Sequence, residues 1–213
     1  MLKLLHVDKK FGDHVVLRDI SCRIDQGITL LTGRNGSGKS TFLRLLAGLY
    51  RPTSGIIQND FPRLEVGFLD HDSFFYNDLT ALENLAFWEK MQSRKPNRDD
   101  LEAMLRHMGL QRAADRRVRT FSRGMVQRLS LARLLLQKPK LWLLDEPCTG
   151  LDTASREQFY AEILAAARSG STVIWITHDL DAERRYADSL LELSGGKLLA
   201  HSSVFHAAEA MAT

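Results

Sequence analysis

Apolar residues in this chain fall into two kinds of pattern, short continuous runs and stripes at helical spacing. Three runs read as strands buried on both faces, as in a parallel α/β sheet: residues 27–32 (Gly-Ile-Thr-Leu-Leu-Thr), 141–144 (Leu-Trp-Leu-Leu) and 172–177 (Thr-Val-Ile-Trp-Ile-Thr). Further strands are expected at 2–7, 15–24, 56–57 and 64–69, with turns at Gly12-Asp13 and over 50–55, and 189–193 and 197–200 flank Gly195-Gly196 as a hairpin. Helical spacing begins at Ser40, with Phe42, Leu43, Leu45 and Leu46 as the apolar positions up to Gly48. It returns over 79–108, broken at Lys95-Pro96-Asn97, and again beyond Phe121 through Leu129, Ala132, Leu135 and Leu136. A helix is expected from an Asp152 cap to about Ala167, and a short one over 204–211. No strand pattern interrupts 72–136, so this stretch reads as a helical insertion in a single α/β domain spanning 1–213.

Composition adds limits rather than an answer. At 213 residues with 44% apolar content, the chain has material for a substantial core. A net charge of +3 does not mark a nucleic-acid binder, and no nucleic-acid partner is expected. The two cysteines, Cys22 and Cys148, lack metal-ligand spacing and read as free thiols. Residues 1–8 are too short and too polar for a signal peptide. No run reaches the roughly 20 apolar residues that span a bilayer, so action at a membrane would go through a partner.

The chemistry is concentrated at the strand ends. Gly33-Arg34-Asn35-Gly36-Ser37-Gly38-Lys39-Ser40-Thr41 fits G-x-x-x-x-G-K-[ST] and sits between a strand and a helix start. Glycines let successive N–H groups turn inward, and the helix start adds unpaired donors, so the segment is built to hold phosphate. Lys39 suits the terminal phosphates and the Ser40 hydroxyl suits Mg²⁺. Asp145 and Glu146 end a buried strand where parallel sheets place ligands; Asp145 suits the Mg²⁺ shell, and Glu146 suits polarising a water. His178 ends the next buried strand at the same edge. Ser122 and Gly124 open a helix and form a second anion site, for which one subunit alone has no evident use. Phe11 reads either as a ring for stacking a base or as a packing residue. Arg112, Arg116, Arg117 and Arg119 face either anionic lipid or solvent.

With these motifs in order, the sequence resembles the ATP-binding subunits of ABC transporters over essentially its whole length. Residues 33–41 look like their Walker A, 141–146 like Walker B with its glutamate, 122–125 like their signature, 147–152 like the D-loop and His178 like the switch histidine. The resemblance implies a P-loop NTPase (RecA-like) core with an antiparallel β subdomain and an inserted α-helical subdomain. It implies ATP and Mg²⁺ as cofactors. It also implies a second copy of the chain in an ATP-sandwich dimer, and transmembrane permease subunits at the cytoplasmic face of the cell membrane. It makes Glu146 the base for water and His178 the group holding the γ-phosphate in line. Lys39 and Mg²⁺ would offset developing charge, Ser122 and Gly124 would contact the partner's γ-phosphate, and Phe11 would stack adenine.

Two positions depart from the pattern. Arg123 and Met125 replace the commoner Gly and Gln of the signature, and His71 stands where a loop glutamine is usual. Together with residues 79–85 and Phe121–Met125, this is similar to the ATP-binding subunit of the cytochrome c biogenesis haem exporter. That narrower resemblance implies haem export, with a general exporter of lipid, drug or peptide as the alternative.

Overall fold

A computed structural model describes residues 1–70 and 74–203. Two sheets enclose one helix. The larger has six strands in the order β5-β6-β7-β3-β8-β9. Its parallel members are β3 (Gly27–Thr32), β5 (Val66–Leu69), β6 (Leu141–Asp145), β7 (Thr172–Ile176) and β8 (Ser189–Ser194), and β9 (Lys197–Ser203) runs antiparallel at one edge. The smaller sheet is antiparallel and joins β1 (Leu2–Phe11), β2 (His14–Ile24) and β4 (Ser54–Asn59) in the order β2-β1-β4.

The continuous apolar runs are resolved by the two-residue period of a strand. In β6, Leu141 and Leu143 point to one apolar cluster and Trp142 and Leu144 to another; β7 divides the same way, with Ile174 and Ile176 opposite Val173 and Trp175. The first cluster lies between the sheets and takes in Leu2, Leu4, Val7, Leu17 and Ile20. Helix α1 (Lys39–Leu46) fills this space with Phe42, Leu43, Leu45 and Leu46. The second cluster packs the far face of the large sheet against the remaining helices. Burying both faces is what makes these runs apolar throughout.

Between β5 and β6 the chain forms α2 (Ala81–Met91), α3 (Arg98–His107) and α4 (Arg123–Gln137), with two short 3₁₀ turns between α3 and α4. Each starts on a side-chain cap. Thr80 and Glu83 form a reciprocal capping box on α2, Asn97 accepts from Asp99 N, and Ser122 accepts from Met125 N. After β6 come α5 (Thr153–Arg168), capped by Asp152, and the short α6 (Leu180–Glu183). Small differences from the sequence reading are at element ends. Residues 63–65 are a 3₁₀ turn before β5 rather than strand, and Phe11 is the last residue of β1 rather than a loop residue. The helix expected at 204–211 lies outside the described residues.

One buried polar side chain organises the approach to α2. Asn84 is fully buried; its Oδ1 accepts from Tyr76 N at 2.9 Å, and its Nδ2 donates to the carbonyls of Tyr76, Leu79 and Thr80 at 3.0, 3.3 and 2.9 Å. Asn84→Ala strands these groups and is expected to cost about 2–3 kcal/mol, lowering the melting temperature by roughly 4–12 °C. Asn84→Asp cannot donate to the carbonyls and should destabilise at least as much. Thermal unfolding followed by circular dichroism measures both.

Candidate functional site

The pairing of β3, β6 and β7 decides where the chemistry meets. Leu31 and Asp145 both pair with Ile176, so the three strands end together. Glu146 N donates to Ile176 O at 3.2 Å and Thr177 N to Leu31 O at 3.3 Å, carrying the alignment one residue further. A cleft of about 760 Å³ opens at this edge, lined by Lys39, Ser40, Asp145, Glu146 and His178 among others.

The loop after β3 needs its glycines. Gly33 has φ 143°, and a Cβ there would lie 2.1 Å from Leu193 O. Gly38 caps α1 at φ 104°, where a Cβ would meet Leu17 Cδ2 at 2.7 Å. These positions turn the backbone so that the first N–H groups of α1 face the cleft. Lys39 is buried and donates from Nζ to the carbonyls of Gly33 (2.7 Å) and Arg34 (3.2 Å), leaving one N–H for a phosphate oxygen. Burial lowers its pKa, and the charges of Glu146 and Asp145 push it back up. Arg34, Asn35, Gly36, Ser37 and Thr41 complete the loop; Asn35, Gly36 and Thr41 line the cleft, and Ser37 is buried beneath it.

The acidic side is equally constrained. Asp145 is buried at the end of β6; burial raises its pKa, a hydrogen bond from Ser40 lowers it, and the Asp70 and Glu146 carboxylates raise it again. Ser40 and Asp145 thus form a pair of hard oxygen donors suited to Mg²⁺. Among the described residues no group of three or more His, Cys, Asp or Glu side chains could hold a metal. Glu146 has a left-handed backbone, φ 49°, unusual for a residue with a side chain. Such strain persists only where surroundings impose it, and here it turns the carboxylate to His178, with His178 Nε2 2.6 Å from Glu146 Oε1.

Not every residue singled out from the sequence joins this group. Ser122 and Gly124 stand at the start of α4, outside the cleft lining, where Ser122 is exposed. Phe11 is also outside it; the ring meets Tyr50 edge-on at 5.3 Å and carries Lys9 Nζ at 4.7 Å from its centroid. His71 lies outside the described residues. Three lining residues carried no signal in the sequence reading: His14 and Val16, brought from β2, and Arg44 of α1. Arg44 forks onto the buried Asp70, with Nε at 3.0 Å and Nη2 at 2.9 Å from Oδ2. That pair packs α1 against the end of β5. Burial pushes the Cys22 thiol up to about 11 and Cys148 to about 12, so neither is a ready nucleophile.

A family model described as ABC transporter matches residues 17–149. The zinc import ATP-binding protein ZnuC of Rickettsia bellii is 34% identical over 199 residues, covering 92% of this chain and 83% of its own. The Nod factor export ATP-binding protein I of Cupriavidus pinatubonensis is 32% identical, covering 93% of this chain and 65% of its own. Among solved structures, a dimeric ATP-binding cassette in a post-hydrolysis state with ADP and Pi superposes with a TM-score of 0.84 at 27% identity, covering 96% of this chain and 99% of its own. The layered α/β fold described above is the fold of these ATPase domains.

The loop geometry separates two glycines that a motif treats alike. A Cβ on Gly38 collides with Leu17, whereas Gly36 (φ 78°) has nothing within 4 Å. Gly36→Ala therefore meets only backbone strain of about 1–2 kcal/mol and should weaken binding of a fluorescent ATP analogue by at most about 30-fold by that conversion. Gly38→Ala adds the collision at the helix start and should weaken it further. Titration of the two purified variants measures the difference.

Proposed function

The chain belongs to the ABC transporter family of ATP-binding proteins and is an ATPase of that family; from this premise we propose that two copies hydrolyse ATP between them and drive transmembrane permease subunits. The observation that carries the reading is the Glu146–His178 contact of 2.6 Å beside Lys39 and Asp145. In this proposal the phosphate loop of one copy and Ser122–Gly124 of the other enclose each nucleotide. That arrangement gives the second helix-start anion site a use.

Each side chain then has a task. The loop N–H groups and Lys39 hold the phosphates, and Phe11 borders the base. Ser40 and Asp145 hold Mg²⁺, which when bound offsets charge on the β- and γ-phosphate oxygens. Glu146 orients water and accepts its proton. His178, fixed on Glu146, keeps that carboxylate aimed and presents its imidazole to the γ-phosphate. In this proposal the helical insertion between β5 and β6, which carries α2, α3 and α4, meets the permease. No helix of the described residues is long and apolar enough to cross a membrane. In this reading the chain is therefore peripheral, held at the cytoplasmic face of the cell membrane through its partner.

For the cargo we propose haem, exported for cytochrome c maturation. The support is the pair of segments 79–85 and Phe121–Met125 together with His71. Relatives carry names of both import and export proteins, so direction is an outcome of the test.

Glu146→Gln should keep ATP binding, lower turnover by at least about 100-fold, the scale of a lost general base, and trap an ATP-bound dimer. Wild-type turnover would show that Glu146 is not the base. Adding Ser122→Arg to this variant should abolish the dimer in size-exclusion chromatography with ATP, while leaving one-site nucleotide binding.

The cargo is tested in cells. A Lys39→Ala strain should accumulate apocytochrome c while total haem stays normal, read on haem-stained gels. Normal holocytochrome c would remove haem and leave the ATPase assignment untouched.

A further inference from the structure

Behind the Glu146–His178 pair lies a second cavity of about 280 Å³, bordered by Cys148, Arg156, Thr177, Asp179 and Glu183 as well as the pair itself. Glu183 is an unexpected resident. It is only 4% exposed, at the end of α6, just beyond His178 in the chain. A buried carboxylate needs hydrogen bonds or an opposite charge to stay ionised. Its Oε1 accepts from Tyr160 OH at 2.9 Å. Its Oε2 and the buried Nε of Arg156 have no protein partner and share the rim of the cavity, which has room for bridging water. Burial is the largest influence on Glu183 and raises its pKa; Thr177 and Tyr160 lower it by hydrogen bonding and Arg156 by its charge, while Asp179 raises it.

These partners come from two places that matter. Arg156 and Tyr160 lie on α5, directly after the turn that follows Glu146. Thr177 immediately precedes His178, and its Oγ1 accepts from Asp179 N at 2.8 Å, closing a turn around the histidine. Asp179 in turn caps α6, accepting from Ala182 N at 3.3 Å. Glu183 therefore joins the segment carrying His178 to the helix that follows Glu146.

We propose that Glu183 is a positioning residue for hydrolysis, its buried carboxylate tying the segment that carries residues 177–179 to α5 through the Tyr160 hydroxyl so that the His178 imidazole stays on Glu146. The proposal rests on the reading of Glu146 and His178 as the reacting pair. It assigns Glu183 no contact with nucleotide. Loss of its carboxylate should loosen the aim of His178 without altering the phosphate loop.

The test is ATP turnover by the full chain with Mg²⁺, comparing Glu183→Gln, Tyr160→Phe, His178→Ala and the Glu183→Gln/His178→Ala double variant. Glu183→Gln keeps the shape and an acceptor for Tyr160 but replaces the carboxylate with an amide. It should lower kcat by about tenfold, the scale of a slight misplacement of a reacting group, with KM for ATP within about twofold if uniform binding is untouched. Tyr160→Phe should lower kcat in the same direction. The double variant should be no slower than His178→Ala alone, because residues acting through one another are not additive. Wild-type kcat in both Glu183→Gln and Tyr160→Phe would overturn the proposal. So would losses that multiply in the double variant, or a kcat loss accounted for by a lower melting temperature. Wild-type turnover in His178→Ala would overturn the reading of the pair itself, a result distinguishable from failure at Glu183 alone.

Discussion

The parallel ladder joining β3, β6 and β7 is the constraint on which the rest depends. Parallel strands share one direction, so their C-terminal ends face one edge. Here the register brings Leu31 and Asp145 level with Ile176. Phosphate donors, carboxylates and the histidine come from three distant parts of the sequence, yet none needs a long loop to arrive. A shift of one residue in β6 would exchange the faces of Leu143 and Leu144 between the two cores. The apolar packing that stabilises the sheet therefore also sets the height of Asp145 and Glu146. Stability and site geometry are one specification.

Burial on both faces has an electrostatic consequence. Polar groups at the sheet edge sit against low-dielectric material, so each needs a partner supplied by the fold. Lys39 has the loop carbonyls and two carboxylates, Asp70 has the fork of Arg44, and Glu183 has Tyr160. Arg133 shows the limit of this strategy. Its Nη2 donates to Phe68 O and its guanidinium lies 4.6 Å from the Trp88 ring centroid, yet burial still depresses its pKa to about 10. An aromatic face offsets part of the lost hydration of a cation, not all of it.

Much of the fold was legible because its signals are local. Residues 27–32 form β3 as the apolar run predicts, the strand over 141–144 extends to Asp145, and Asp152 caps α5. The phosphate loop was legible too, since its glycines answer to backbone turns made within nine residues. What stayed hidden depends on packing between segments remote in sequence. His14 and Val16 reach the cleft only because the antiparallel sheet folds over α1. The Arg44–Asp70 fork spans 26 positions and has no periodic signature. Glu183 carried no signal in the sequence, and its burial goes with the Tyr160 bond that joins α6 to α5. Phe11 shows the reverse: the ring was legible, but its edge-on contact with Tyr50 was not.

The separation of Ser122 from the cleft does not isolate it from the chemistry. Gln127 of α4 donates to Pro147 O at 2.6 Å, in the turn that follows Glu146. The start of the same helix rests on that turn as well: a Cβ on Gly124 would lie 3.3 Å from Gly150 O, and a Cβ on Gly150 would lie 3.2 Å from Arg123 Cδ. The start of α4 is thus packed on the turn that follows Glu146. An α-helix moves as a rigid body more readily than it bends, because its hydrogen bonds are internal. A displacement of α4 would therefore reach the turn beside Glu146 through Gln127 and Gly124.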